Sequence, residues 1–150
     1  MKATILVTAA GGPGAVNMTR SLSADPELTL VGCDASPHYV HLALTATKAI
    51  VPRCAQREEY IAAINRLVDQ HGVDLIMPNN SLEAHVLSSE RQRLHAPVFL
   101  PPPPTLDKAN SKWLSWNIWR DGGHPVPDTW LLETRDDLRR VFAERPDRPL

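Results

Sequence analysis

The sequence predicts an α/β fold: an open parallel sheet with helices on both faces. Three observations point there. Short apolar runs alternate with segments of helical periodicity; the runs are continuous rather than alternating, as strands buried on both faces are; and a glycine cluster joins the first run to the first helix. The first strand is "ATILVTA", residues 3–9. With its preceding residues it reads "MKATILVTAA", which looks like a short signal peptide until the glycine turn and amphipathic helix that follow make it a buried strand. "LTLVGCD" (28–34) is the second strand. "ASPHYVHLALTATK" (35–48) has weak periodicity and reads as irregular with one short helix. "KAIVPR" (48–53) is a third strand, "VDLIMP" (73–78) a central fourth and "PVFLP" (97–101) a short fifth.

Between the strands, residues 58–71 place Tyr60, Ile61, Ile64, Leu67 and Val68 on one helical stripe closed by Gly72. Residues 81–94 are helical with Val86, Leu87 and Leu94 inward. "PPPP" at 101–104 is a rigid connector. After it come a helix ending at Gly122 and Gly123, a strand "DTWLL" (128–132), and a helix that begins at Thr134 with Asp137 at capping-box spacing. The chain closes on "RPDRPL", with no further domain expected. The expected organisation is a domain over 1–104 and a linker helix with the start of a second region over 105–150.

Composition narrows the function classes. With 43% hydrophobic and 22% charged residues over 150 positions, the chain has material for one ordinary core. A formal net charge of −1 leaves no basic excess for a nucleic-acid partner. No run approaches the roughly 20 apolar residues of a membrane span. Cys33 and Cys54 form no CxxC pair, so free thiols and a cytoplasmic location are expected. The histidines, including His38 and His41 after the second strand, show no metal-ligand spacing and read as surface residues. Neither a nucleophile elbow nor a phosphate-loop lysine is present, so no catalytic set and no metal site is assigned.

The glycine loop "TAAGGPGAVNMTRSL" (8–22) has only part of a dinucleotide fingerprint. Gly12 and Gly14 have the first spacing, but Asn17 stands at the third glycine, and Pro13 removes one N–H that a phosphate would use. Asp34, twenty positions beyond Gly14, stands where a ribose-binding acid would. Three readings remain open: glycines that only permit a turn, a substrate anion at the helix N-terminus, and an NAD(P) site. "PNNSLEAH" (78–85) follows the fourth strand at the carboxyl edge, where open α/β sheets bind ligands, so Asn79, Asn80 and Glu83 are substrate-binding candidates. Asn80 and Glu83 also have capping-box spacing, which would occupy both with helix backbone. Trp113, Trp116 and Trp119 recur every three residues. With Trp130 they exceed what one small terminal helix buries, and association with another surface or a second copy is expected.

The tail carries a more specific signal. "LDKANSKWLSWNIWRDGGHPVPDTW" (106–130) resembles the segment leading into the ATP-grasp ligases: Asp107 and Lys108 match its Asp-Lys helix, and Gly123, Pro125 and Pro127 its Gly-x-Pro-x-Pro turn. "TAAGGPGAVNMTRSL", "LVGCDASP" and "DLIMPNNSLEAH" resemble strand-loops of the N-terminal domain in the carbamoyl-phosphate synthase large-subunit branch, and more distantly biotin carboxylase and D-alanine–D-alanine ligase. The resemblance implies a Rossmann-like pre-ATP-grasp domain that binds no dinucleotide, whose glycine loop and fourth-strand loop border the site of a carboxylate or amine substrate. That assigns Gly12, Gly14, Asn79, Asn80 and Glu83 to the substrate, and Lys112, with Lys108 as competitor on the same helix, to the phosphates of ATP. ATP and Mg2+ would be held mainly by an ATP-grasp lobe absent from these residues. The function implied is the substrate-side domain of an ATP-dependent carboxylate–amine (or thiol) ligase working through an acyl phosphate, inactive as this chain alone. A small NAD(P)-binding module and a non-catalytic interaction domain are the alternatives.

Overall fold

The structure, a computed structural model, describes residues 2–144. It comprises two units, Met1–Asp107 and Lys108–Leu150. In the first, β1 (Ala3–Val7) is central. It pairs in parallel with β2 (Leu28–Asp34), placing Ile5 opposite Leu30, and on its other side with β4 (Leu75–Met77), placing Ile5 opposite Leu75. β3 (Thr47–Ile50) pairs in parallel with β2, for a sheet order β3-β2-β1-β4. The chain thus builds outward from β1 to β3 and then returns to the far side of β1, which makes the β1–β4 boundary the topological switch point.

Alternation along the strands sorts the core into two layers. Ile5, Val7 and Leu30 face α1 (Pro13–Leu22), which contributes Ala15, Met18 and Leu22. Leu6, Val31 and Cys33 face the opposite layer, filled by Tyr60, Ile61, Ile64, Leu67 and Val68 of α2 (Arg57–His71) and by Val86 and Leu87 of α3 (Ser81–Ser89). Helices therefore cover both faces, as the sequence predicts. Leu6, Ile64, Ile76 and Leu87 are fully buried, each worth about 1.5–3 kcal/mol of transfer free energy. Gly72 closes α2 at φ 59°, a left-handed C-cap that a side chain would strain.

Several elements differ from the sequence expectation. Residues 97–101 form a single parallel bridge, Ile76 to Val98, with the Ile76 N–H donating to the Pro97 carbonyl and the Phe99 N–H to the Ile76 carbonyl, both at 2.9 Å. Pro97 and Pro101 have no N–H to extend the ladder. The helix from Ser81 stops at Ser89, followed by a 3-10 turn over Arg91–Arg93. There Arg91 donates to the carbonyls of Ser88, Leu100 and Pro101 and so ties the proline run to the end of α3. The proline run is only half a connector. Pro103 and Pro104 lie in the first turn of α4 (Pro103–Asn110), where missing N–H groups cost nothing.

Downstream, the expected single helix is two. Ser111 is extended (φ −88°, ψ 109°) and caps α5 (Lys112–Asp121), accepting the Leu114 N–H at 3.2 Å. Lys108 and Lys112 therefore sit on different helices rather than on one face of the same helix. Residues 128–132 form no strand, since no partner strand in this unit's described residues takes up their backbone groups. α6 (Arg135–Glu144) begins with the capping box in full: the Asp137 N–H donates to Thr134 Oγ1 at 3.1 Å and the Thr134 N–H to Asp137 Oδ2 at 2.9 Å. Trp113 and Trp116 stack at 5.0 Å, the Arg120 guanidinium lies 4.7 Å over Trp116, and Trp116 Nε1 donates to the Pro127 carbonyl. Leu114, Ile118 and Trp119 are exposed. The "RPDRPL" tail lies outside the described residues. No helix among the described residues is long and apolar enough to cross a membrane.

Candidate functional site

The carboxyl ends of all four strands meet around one cavity of about 460 Å³ in the first unit. After β1 it is lined by Ala9; after β2 by Asp34 and the 35–38 loop, including Ser36 and His38; after β3 by Arg53; and after β4 by Asn80 and Glu83. This is the edge and the switch point at which open α/β sheets place ligands.

The local geometry follows from the loops. Ala9 takes φ 48°, the left-handed region, and its carbonyl accepts the Gly12 N–H at 3.0 Å, so the tight turn after β1 falls on an alanine and not on a glycine. The neighbouring glycines serve close approach instead. A Cβ on Gly11 would collide with the Tyr39 carbonyl, and one on Gly14 would lie 3.2 Å from Asn79 Nδ2. Asp34 binds the two loops together: Oδ2 accepts the Gly11 N–H at 3.1 Å and Oδ1 the Ser36 N–H at 2.8 Å. The acid that stands at the ribose-binding position is thus engaged with protein backbone.

At the β4 wall, Asn80 Oδ1 accepts the Glu83 N–H at 2.8 Å and caps α3. The reciprocal half of the box is not made. The Glu83 side chain turns inward, and the residue is 3% exposed. Its Oε2, Tyr60 Oη and Thr8 Oγ1 are all buried without a hydrogen-bond partner. Burial pushes the Glu83 carboxyl above its ordinary value and the Asp34 charge adds to this, while the Thr8 and Tyr60 hydroxyls draw it back. The hydroxyls lie near enough to favour the charged carboxylate, but none closes a well-formed hydrogen bond with it. Burial likewise raises the Cys33 thiol well above its usual range, so this thiol is inert packing. Both cysteines are free, Cys33 buried and Cys54 only half-buried.

Of the residues the sequence singles out, Asn80 and Glu83 share the cavity wall. Gly12, Gly14 and Asn79 do not line it; Gly14 and Asn79 pack on each other. Lys108 and Lys112 belong to the second unit, both exposed. Sequence reasoning missed Thr8 and Tyr60, whose pattern is that of core residues. It gave Arg53 no role, because only the fold brings that loop to the cavity; His38 is exposed, as the sequence reads it, and also lines the cavity. No group of three His, Cys, Asp or Glu side chains among the described residues could hold a metal ion.

No protein-family model matches the chain, and no curated protein matches it. Solved structures do. L-amino acid ligase from Bacillus licheniformis is similar with a TM-score of 0.61 and 10% identity, over 97% of this chain and 42% of that one. N5-carboxyaminoimidazole ribonucleotide synthetase from Thermotoga maritima gives 0.58 and 16%, over 95% and 36%. The biotin carboxylase domain of a single-chain bacterial carboxylase gives 0.55 and 22%, over 99% and 35%. The shared feature is the fold, a Rossmann-like open parallel sheet with helices on both faces. The likeness does not single out the carbamoyl-phosphate synthase branch, and the chain spans well under half the length of each of these proteins.

Proposed function

We propose that this chain is the substrate-side N-terminal domain of an ATP-dependent carboxylate–amine (or thiol) ligase of the carbamoyl-phosphate synthase-like branch. One observation carries the reading: a cavity at the switch point is lined by Glu83, whose buried Oε2 has no hydrogen-bond partner, on a fold shared with the N-terminal domains of ligases. A polar group that is buried without a partner costs about 1–3 kcal/mol, a cost that a ligand donor at this wall would offset. Asn80 orients the first turn of α3 so that Glu83 faces inward, while Gly12, Gly14 and Asn79 set the loop packing that shapes the wall.

In this reading residues 1–104 form the substrate-side domain and 105–150 lead into an ATP-grasp lobe carried elsewhere in the enzyme. ATP with Mg2+ would supply the phosphoryl group that activates a substrate carboxylate as an acyl phosphate. The described residues include no acidic cluster to hold the magnesium, so its ligation is assigned to that lobe. Lys112, with Lys108, is assigned to the ATP phosphates, and the exposed Leu114, Ile118 and Trp119 to contact with the lobe or with a second copy in a homodimer. We place the enzyme in the cytoplasm.

The test is a polypeptide carrying this domain together with its ATP-grasp lobe, assayed for ADP release that depends on an added carboxylate and amine. Glu83→Gln is expected to raise KM for the organic substrate about tenfold or more, roughly the loss of one charge-assisted contact, with KM for ATP unchanged. Absence of ADP release with every carboxylate–amine pair, or an unchanged organic-substrate KM in the variant, would sink the reading.

A further inference from the structure

The same cavity carries a charge asymmetry that the ligase reading does not account for. Its β4 wall holds Asn80 and Glu83, while from the β2 and β3 sides come Ser36, His38 and Arg53. The Arg53 guanidinium makes no hydrogen bond or ion pair among the described residues. Nearby arginines behave otherwise: Arg57 pairs with Glu90 at 2.9 Å, Arg93 with Glu58 at 2.6 Å, and Arg91 is closed on three carbonyls. Arg20, Arg66 and Arg135 likewise make no side-chain hydrogen bond or ion pair among the described residues, but none of them lines the cavity. The His38 ring makes no hydrogen bond in the described residues either. Ser36 Oγ accepts the Tyr39 N–H at 3.2 Å, which leaves its own O–H to donate. Of the two acids that line the cavity, Glu83 belongs to the β4 wall and Asp34 turns both carboxylate oxygens to the Gly11 and Ser36 N–H groups.

We propose that Arg53, with His38 and Ser36, forms a subsite for a carboxylate group of the substrate, at the β2–β3 end of the cavity and remote from the group that meets Glu83. The inference rests on the reading of this cavity as a substrate site and names what it selects: a small molecule with a carboxylate at one end and a second polar group at the other. A guanidinium fork fits a carboxylate with two parallel N–H···O bonds. The guanidinium is a single fixed cation, which matches the one charge of a carboxylate better than a phosphate dianion. The cavity volume falls at the small end of ligand sites, about 300–1,000 Å³, and suits a metabolite of a few carbons to a dozen or so heavy atoms rather than a dinucleotide.

The test titrates the 15N-labelled chain at constant ionic strength with acetate, with methylammonium and with inorganic phosphate, following backbone amide shifts. Acetate is expected to move the amides of Ser36, His38 and Arg53. Arg53→Gln should weaken that response about tenfold, the scale of one hydrogen bond to a charged group, with no change in thermal midpoint because the guanidinium makes no contact in the fold. His38→Gln should weaken it less. Acetate without effect on those amides, or acting equally on wild type and Arg53→Gln, overturns the subsite. Phosphate saturating the same amides at lower concentration than acetate overturns its assignment to a carboxylate. If methylammonium shifts Asn80 and Glu83 while acetate does nothing, the substrate-site reading stands and the subsite falls; if neither probe shifts the cavity, both fall.

Discussion

At the residue scale, the Glu83 carboxyl and the hydroxyls of Thr8 and Tyr60 show how a local rule yields to a non-local one. The Asn80–Glu83 spacing promises two reciprocal caps, and the helix N-terminus accepts only one of them. The carboxyl turns into the hollow between α2 and the strand ends, where its Oε2 finds no partner. This has a consequence for stability. Burial first, and the Asp34 charge after it, raise the Glu83 pKa in the folded chain, so the native state holds this proton to higher pH than the unfolded chain does. Stability from this group is complete below the ordinary glutamate value and is lost as pH rises through the raised folded value. Glu83→Gln keeps the shape without the ionisation. Urea midpoints measured from mildly acidic to mildly alkaline pH should fall for the wild type and stay flatter for the variant, a difference on the order of 1 kcal/mol at the alkaline end. Parallel curves would show that Glu83 ionises as freely in the fold as in water.

At the scale of the element, turn and cap chemistry explains most boundaries. Gly72 stops α2 because only the left-handed conformation closes the last turn there, and prolines open α4 because the first turn needs no N–H. The clearest case is α6, a helix with a single buried side chain, Val141, among its described residues. Its start depends on Thr134 and Asp137. The Thr134 hydroxyl and N–H hold the Asp137 carboxyl below the usual carboxylate range, so the box is present above the ordinary aspartate value and lost as pH falls through the depressed one. Thr134→Ala should speed amide exchange in the first turn of α6 roughly fivefold, the size typical of losing a helix N-cap, and leave α2 untouched. Equal exchange in variant and wild type would mean that something other than the box holds this turn.

On the scale of the whole molecule, the question is what the glycine loop and its sheet edge hold. A dinucleotide needs an open backbone cradle and a free acid at the end of the second strand. Here the Tyr39 backbone packs on Gly11, Asn79 packs on Gly14, and Asp34 is bound to two backbone N–H groups. Calorimetric titration of the chain with NADH should therefore show affinity no tighter than millimolar. A micromolar dissociation constant would restore the nicotinamide-binding alternative and displace the ligase reading.

The alternation of apolar runs with amphipathic stretches determined the α/β class, the four strands, the helical stripe of α2 and the caps at Gly72, Asn80 and Thr134, because each depends on residues within a turn or two of one another. Strand pairing at 97–101 and 128–132 was not legible, since a strand exists only where a neighbour takes its backbone groups, and one proline or a missing neighbour removes it. Nor was the break at Ser111, which parts Lys108 from Lys112. The candidate site was half legible. Asn80 and Glu83 follow from position at a strand's carboxyl end, whereas Arg53, His38, Ser36 and Tyr60 come from loops and a helix separated in sequence from them. Only the packing of β3-β2-β1-β4 brings the cavity-lining segments to one edge, and only the tertiary structure shows the Glu83 side chain buried rather than turned back to cap α3.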